Sequence, residues 1–168
     1  METVYFKGNP CHTYGLLPDV GEIAPCYELV TKDLTDINCR DYAGKRVVLN
    51  IFPSLDTPVC AASVHRFNTE AASLTDTVVI CVSMDLPFAE ARFCAANGID
   101  NCVVASAFRN PLFAQKYGVQ LVDGPLAGLL ARAVIILDKD RKIIYRELVD
   151  EITHEPDYDA ALSVLSSK

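Results

Sequence analysis

The residues best suited to chemistry stand in "FPSLDTPVC", residues 52–60, between the apolar run "RVVLNI" and the helix-like "AASVHRFNTEAASL". This placement brings Cys60 to a strand-to-helix turn. The plain alternative is that Cys60 is a small buried hydrophobe. A helix N-terminus, however, carries N–H groups without intrahelical partners and about half a positive charge, which favours a thiolate. An ordinary thiol of pKa about 8.5 is ~3% ionised at neutral pH, and one lowered to ~6 is ~90% ionised. Its weaker basicity costs roughly tenfold in reactivity at a Brønsted slope of ~0.45, so the net gain is only about twofold. Fast chemistry at such a sulfur therefore needs donors aimed at the charge that develops in the transition state. Thr57, close before Cys60, has a hydroxyl that can donate to a thiolate and accept from a protonated substrate oxygen. Threonine is equally a favoured helix N-cap, and spacing leaves both roles open. Pro53 and Pro58 restrict the turn and can shield the sulfur from water.

The other reactive types form no second constellation. His65 follows Cys60 by five residues, about 140° around a helix, so it faces away and reads as a surface residue. His12 and His154 lie in polar segments without a dyad or metal cluster. The seven cysteines, at 11, 26, 39, 60, 81, 94 and 102, include no Cys-x-x-Cys pair, which removes the common zinc spacings and a thioredoxin-type redox centre. Cys81 and Cys102 lie in apolar strand-like runs and read as core, whereas Cys11 reads as an exposed spectator in a hairpin turn. Cys26 and Cys39 receive no role from their surroundings.

The elements that must position Cys60 are legible in the hydrophobic period. "TVYF" (3–6) and residues 13–16 flank the turn-forming "KGNPCH", giving an N-terminal hairpin. A short strand is expected around Tyr27–Val30, a one-turn helix near Arg40–Tyr42, and a buried central strand over 47–52. From Val59 to Leu74, Val64, Phe67, Ala71 and Leu74 recur three or four apart, the mark of an amphipathic helix. A strand at 77–83 precedes a helix that opens at Pro87 and closes at Gly98. Then come a strand at 102–106, a short helix near Pro111–Tyr117, two strands joined by "DKDR", and a last helix in "PDYDAALSVLSS". This order describes an α/β three-layer sandwich with a mixed central sheet, in which reactive groups gather at strand carboxyl ends.

At 168 residues the chain suits one domain over 1–168, with 1–17 as a hairpin extension. Its 51% hydrophobic content indicates an ordered globular protein, and its formal charge of −7 argues against nucleic acid or an anionic membrane as the main partner. The acid-rich "VDEITHEPDYD" reads as a solvated connection. No stretch resembles a signal core or a membrane span, so a cytoplasmic location is expected, and structural disulfides are not.

"PSLDTPVC" resembles the peroxiredoxin pattern Pro-x-x-x-Thr-x-x-Cys, and its surroundings resemble the bacterial thiol peroxidase branch, the atypical two-cysteine peroxiredoxins. "FKGNP", "AGKRVVLNIFPSLDTPVCAASVHRFN", "DLPFAEARFC", "FRNPLFAQKYGV", "DGPLAGLLARAV" and "LVDEITHEPDYDAAL" carry the likeness over nearly the whole chain. The resemblance implies a thioredoxin-like fold, reduction of hydrogen peroxide and organic hydroperoxides, recycling by thioredoxin, and a homodimer. It implies no metal, haem, flavin or nicotinamide. By resemblance Cys60 is the peroxidatic cysteine, Thr57 and Pro53 its motif partners, Arg132 the active-site arginine, and Cys94 the resolving cysteine that forms a redox disulfide with Cys60. Leu126, Leu129 and Leu130, in the most apolar loop, could line an entry for alkyl hydroperoxides, pack at a dimer interface, or belong to the core.

Overall fold

The computed structural model describes residues 1–166. Strands β1 (Thr3–Phe6) and β2 (Asn9–His12) form an antiparallel hairpin in which Phe6 faces Asn9. The second strand starts earlier than the sequence suggested. Lys7 and Gly8 take φ of 53° and 81°, so the chain reverses in two residues, ahead of Asn9 and Pro10. Cys11 is consequently a strand residue, not an exposed turn thiol; it is 2% exposed, against Val4, Leu121, Ala131 and Ile152.

The main sheet contains β3 (Glu28–Thr31), β4 (Asp36–Asn38), β5 (Arg46–Ile51), β6 (Thr77–Ser83), β7 (Val103–Ser106), β8 (Ala133–Leu137) and β9 (Ile143–Leu148), in the order β4-β3-β7-β6-β5-β8-β9. β5, β6 and β7 run parallel; β3, β4, β8 and β9 pair antiparallel. The sheet is thus mixed, as expected. Side chains alternate between its faces: Val47, Leu49 and Ile51 of β5 enter one core and Val48 the other. Burial on both faces is why the central strands read as unbroken apolar runs.

Helices α1 (Pro58–Ala71), α2 (Pro87–Asn97) and α4 (Tyr158–Ser166) contribute Val64, Phe67, Cys94, Ala161 and Leu165 to one core; α3 (Pro111–Lys116) adds Phe113 and Ala114 to the other. The predicted α4 reached Ser167, which lies outside the described residues. α1 ends short of Leu74, which still packs on the α1 side of the sheet. α2 keeps both expected ends, Pro87 in its first turn and Gly98 at φ 65° as its left-handed cap.

The expectation against a structural disulfide is overturned, because Cys26 and Cys39 are bonded. The cause is the β3–β4 hairpin, whose second strand the sequence reading missed. Glu28 pairs with Asn38, so the residues flanking the two strands meet at the hairpin's open end. A Cα separation of 5.2 Å then suits the bond.

Candidate active site

Thr57 occupies the N-cap position of α1 with extended φ and ψ of −106° and 143°, Pro58 opens the helix, and Cys60 lies in its first turn. Cys60 is completely buried. Its amphipathic helix is tied back to β5: Asn50 Nδ2 donates to Ser63 Oγ (3.2 Å), which donates to the Cys60 carbonyl (2.8 Å). Pro53 is buried in the connection and Pro58 is exposed. The Thr57 hydroxyl makes no cap hydrogen bond; it donates to the Ser54 carbonyl at 3.0 Å, on the exposed side of the turn.

Arg132 reaches the same place from across the sheet. Ile51 pairs with Ala133, so Arg132 stands beside the end of β5 from which residues 52–57 lead into α1. Its Nη2 donates to Cys60 Sγ at 3.2 Å, and its Nε to the Ile152 carbonyl at 2.8 Å. Nη1 is buried with no partner among the described residues, and the side chain is 2% exposed. A buried guanidinium without a carboxylate is costly, and the sulfur beside it, once ionised, is its natural counter-charge. The orphaned Nη1 adds a donor for a further oxygen at the sulfur.

A carboxylate that the sequence reading overlooked holds the connecting loop. Asp85, in the β6–α2 turn, accepts from Ser54 Oγ, the Leu55 N–H and Ser83 Oγ, each at 2.8 Å. An acid just past the carboxyl end of a central strand was the available signal. The acid-rich segment also does more than solvate. Glu151 accepts from the Lys7 and Gly8 N–H groups and from Thr153, which holds its carboxyl down at about 2, while neighbouring Ile152 receives Arg132.

Cys94 projects from α2 into the apolar cluster that contains Cys60 and Cys81, 4% exposed and free, as Cys60 is. Burial, with a smaller contribution from Cys102, pushes its thiol up to about 11. Cys81 is buried and lies 3.9 Å, sulfur to sulfur, from half-buried Cys102. His65 is exposed, touching Asn97. The three loop leucines part company. Leu130 is fully buried in the main core, Leu126 packs beneath the hairpin, and Leu129 is half-buried.

The family model described as Redoxin matches residues 17–162. A thiol peroxidase of Corynebacterium glutamicum is 51% identical over 166 residues, covering 99% of this chain and 100% of that protein. Among solved structures, a peroxiredoxin-like protein from Aquifex aeolicus superposes with a TM-score of 0.94 at 44% identity, covering 99% of this chain and 96% of its own. A thiol peroxidase from Chromobacterium violaceum shares the fold at 22% identity, with a TM-score of 0.87 over 98% of this chain and 95% of its own. The mixed sheet is therefore of the thioredoxin-like peroxiredoxin type, with the hairpin added to it. In sequence and in fold the chain belongs to the Redoxin family, among its thiol peroxidases.

Proposed function

We propose that the protein reduces hydrogen peroxide and organic hydroperoxides through Cys60, with Cys94 resolving the oxidised sulfur and thioredoxin resetting the pair. The observation that carries this reading is the Arg132 guanidinium, 2% exposed, 3.2 Å from Cys60 Sγ and with Nη1 unused. The Cys60 thiolate attacks the terminal peroxide oxygen. The O–O bond breaks, the departing alkoxide or hydroxide takes up a proton, and Cys60 becomes a sulfenic acid. Nη1 and Nη2 stabilise the charge passing from sulfur to leaving oxygen, a task that permanent charge and several donors suit. Thr57 and Pro53 shape the approach, Pro53 by excluding water and Thr57 by offering its hydroxyl oxygen to a protonated peroxide.

The Cys94 sulfur then displaces hydroxide from the sulfenic acid, which leaves as water as the Cys60–Cys94 bond forms. Both cysteines lie in helices and are unbonded, so local unwinding accompanies this step. Thioredoxin, a dithiol, returns both thiols and is itself oxidised. We place this cycle in the cytoplasm, where such a reductant is kept reduced. A homodimer is supported by Leu86, Phe88, Phe108 and Leu112, exposed apolar residues past the carboxyl ends of β6 and β7. Sedimentation tests that assembly.

The mechanism is tested by consumption of cumene hydroperoxide with thioredoxin, thioredoxin reductase and NADPH. Wild type should turn over, Cys60→Ser should be inactive, and Cys94→Ser should stop after about one equivalent. Turnover by Cys60→Ser would end the proposal.

A further inference from the structure

Glu90 is fully buried in α2, one helical turn before Cys94, and neither of its carboxylate oxygens has a hydrogen-bond partner among the described residues. A charge in that position would be severely penalised, so the carboxyl is held neutral. Burial and, after it, the Asp85 carboxylate push its pKa up to about 9. The Ser83 hydroxyl, which donates to Asp85, acts in the opposite direction on Glu90 but more weakly. Asp85 in turn grips Ser54 and Leu55, in the loop leading to Cys60. The helix that carries Cys94 and the loop that presents Cys60 therefore meet at one pair of carboxyl groups. From the other elements packed nearby, Lys32 and Asp33 of the β3–β4 turn and the Cys102 thiol bear on Cys94.

We propose that Glu90 is a positioning residue for the resolving step: α2 closes only over its protonated carboxyl, and the opening that delivers Cys94 to Cys60 releases that proton to water. The inference rests on the reading of Cys94 as the resolving cysteine. Its physical content is a linkage. Closed α2 keeps a proton that the opened segment, with an ordinary carboxyl near 4.5, gives up. The closed form is fully favoured below that value and loses ground as pH rises towards about 9. Within this window the opening constant climbs about tenfold per pH unit. Glu90 thus makes resolution more ready in alkaline conditions without touching the reacting sulfurs. The redox step keeps its own balance: an S–S bond forms, an S–O bond breaks, water leaves, and the Glu90 proton goes to solvent.

Amide hydrogen exchange of α2 peptides in the Cys60- and Cys94-reduced protein, corrected for intrinsic base catalysis, tests the latch. Between pH 6 and 8 the wild-type opening constant of α2 should rise roughly hundredfold. Glu90→Gln, similar in volume and unable to ionise, should show no such rise. This comparison does not depend on peroxide chemistry, and the wild-type slope does not depend on any variant folding. After one equivalent of hydrogen peroxide, the wild-type rate of disulfide formation relative to Glu90→Gln should also climb about tenfold per pH unit. Peptide mapping of the product keeps the two ideas apart. pH-independent exchange with Cys60–Cys94 bonded overturns the latch alone; Cys60 bonded to another thiol overturns the reading on which it rests.

Discussion

Replacing Arg132 by Met removes two donors that the structure separates. Nη2 gives Cys60 Sγ a charge-assisted hydrogen bond at 3.2 Å, and Nη1 is buried without a partner among the described residues. Hydrogen bonds to charged groups contribute about 1.5–3 kcal/mol. Loss of one preorganised donor to a developing anion costs ~10²–10³ in rate, or about 2.7–4 kcal/mol. Peroxide reduction by Arg132→Met should therefore fall by about two to three orders of magnitude. Arg132→Lys, with a single ammonium in place of the fork, should retain more, falling roughly tenfold to a hundredfold. The fold should survive: the Ile152 carbonyl loses a partner, worth about 1 kcal/mol, and the cost of burying a guanidinium goes with it. Stopped-flow mixing of reduced protein with peroxide, with dimedone trapping of the sulfenic acid, reads the step directly. Alkylation of Cys60 by iodoacetamide reads thiolate reactivity without the oxyanion. If Nη1 serves the leaving oxygen, peroxide reduction should fall at least tenfold further than alkylation. Peroxide reduction by Arg132→Met within threefold of wild type would refute the reasoning; equal losses in the two reactions would remove the Nη1 role.

Other residues give further tests. Asp85→Asn keeps the shape of the side chain but leaves it a poorer acceptor for its three donors; peroxide reduction should fall about tenfold or less while alkylation of Cys94 quickens, and unchanged values for both would remove its anchoring role. Breaking the Cys26–Cys39 bond by paired Cys→Ala replacement, over a sequence separation of 13, should destabilise the protein by about 2–3 kcal/mol in urea titration, with peroxidase activity kept because Cys39 and Cys60 belong to different cores. Glu151, held down at about 2 against an ordinary 4.5, contributes stability that is present above 4.5 and lost as pH falls towards 2. Discounted for solvent screening, that contribution is about 1 kcal/mol. The thermal midpoint of wild type should thus fall about 2–4 °C more than that of Glu151→Gln across this interval, and identical pH profiles would contradict the anchoring of the hairpin tip by Glu151.

The local order of elements was available from the sequence because it rests on local physics. Alternation and apolar runs marked β5 and β6, the three-or-four spacing marked α1, and Pro87 with Gly98 bounded α2. The position of Cys60 at a helix start followed from the same signals. What the sequence left open were facts of strand pairing. The short β4, too brief to show a period, decides that Cys26 meets Cys39. The register of β8 against β5 decides that Arg132 arrives at Cys60, 72 residues away along the chain. Residue type and family resemblance named Arg132, but only the paired sheet gives it a sulfur on one nitrogen, a carbonyl on another and an empty third. Glu90 makes the same point in reverse. Its spacing from Cys94 is plain in the sequence, while its burial without a partner beside Asp85 arises only when α2 closes over the sheet, because desolvation belongs to the packed chain and to no residue alone.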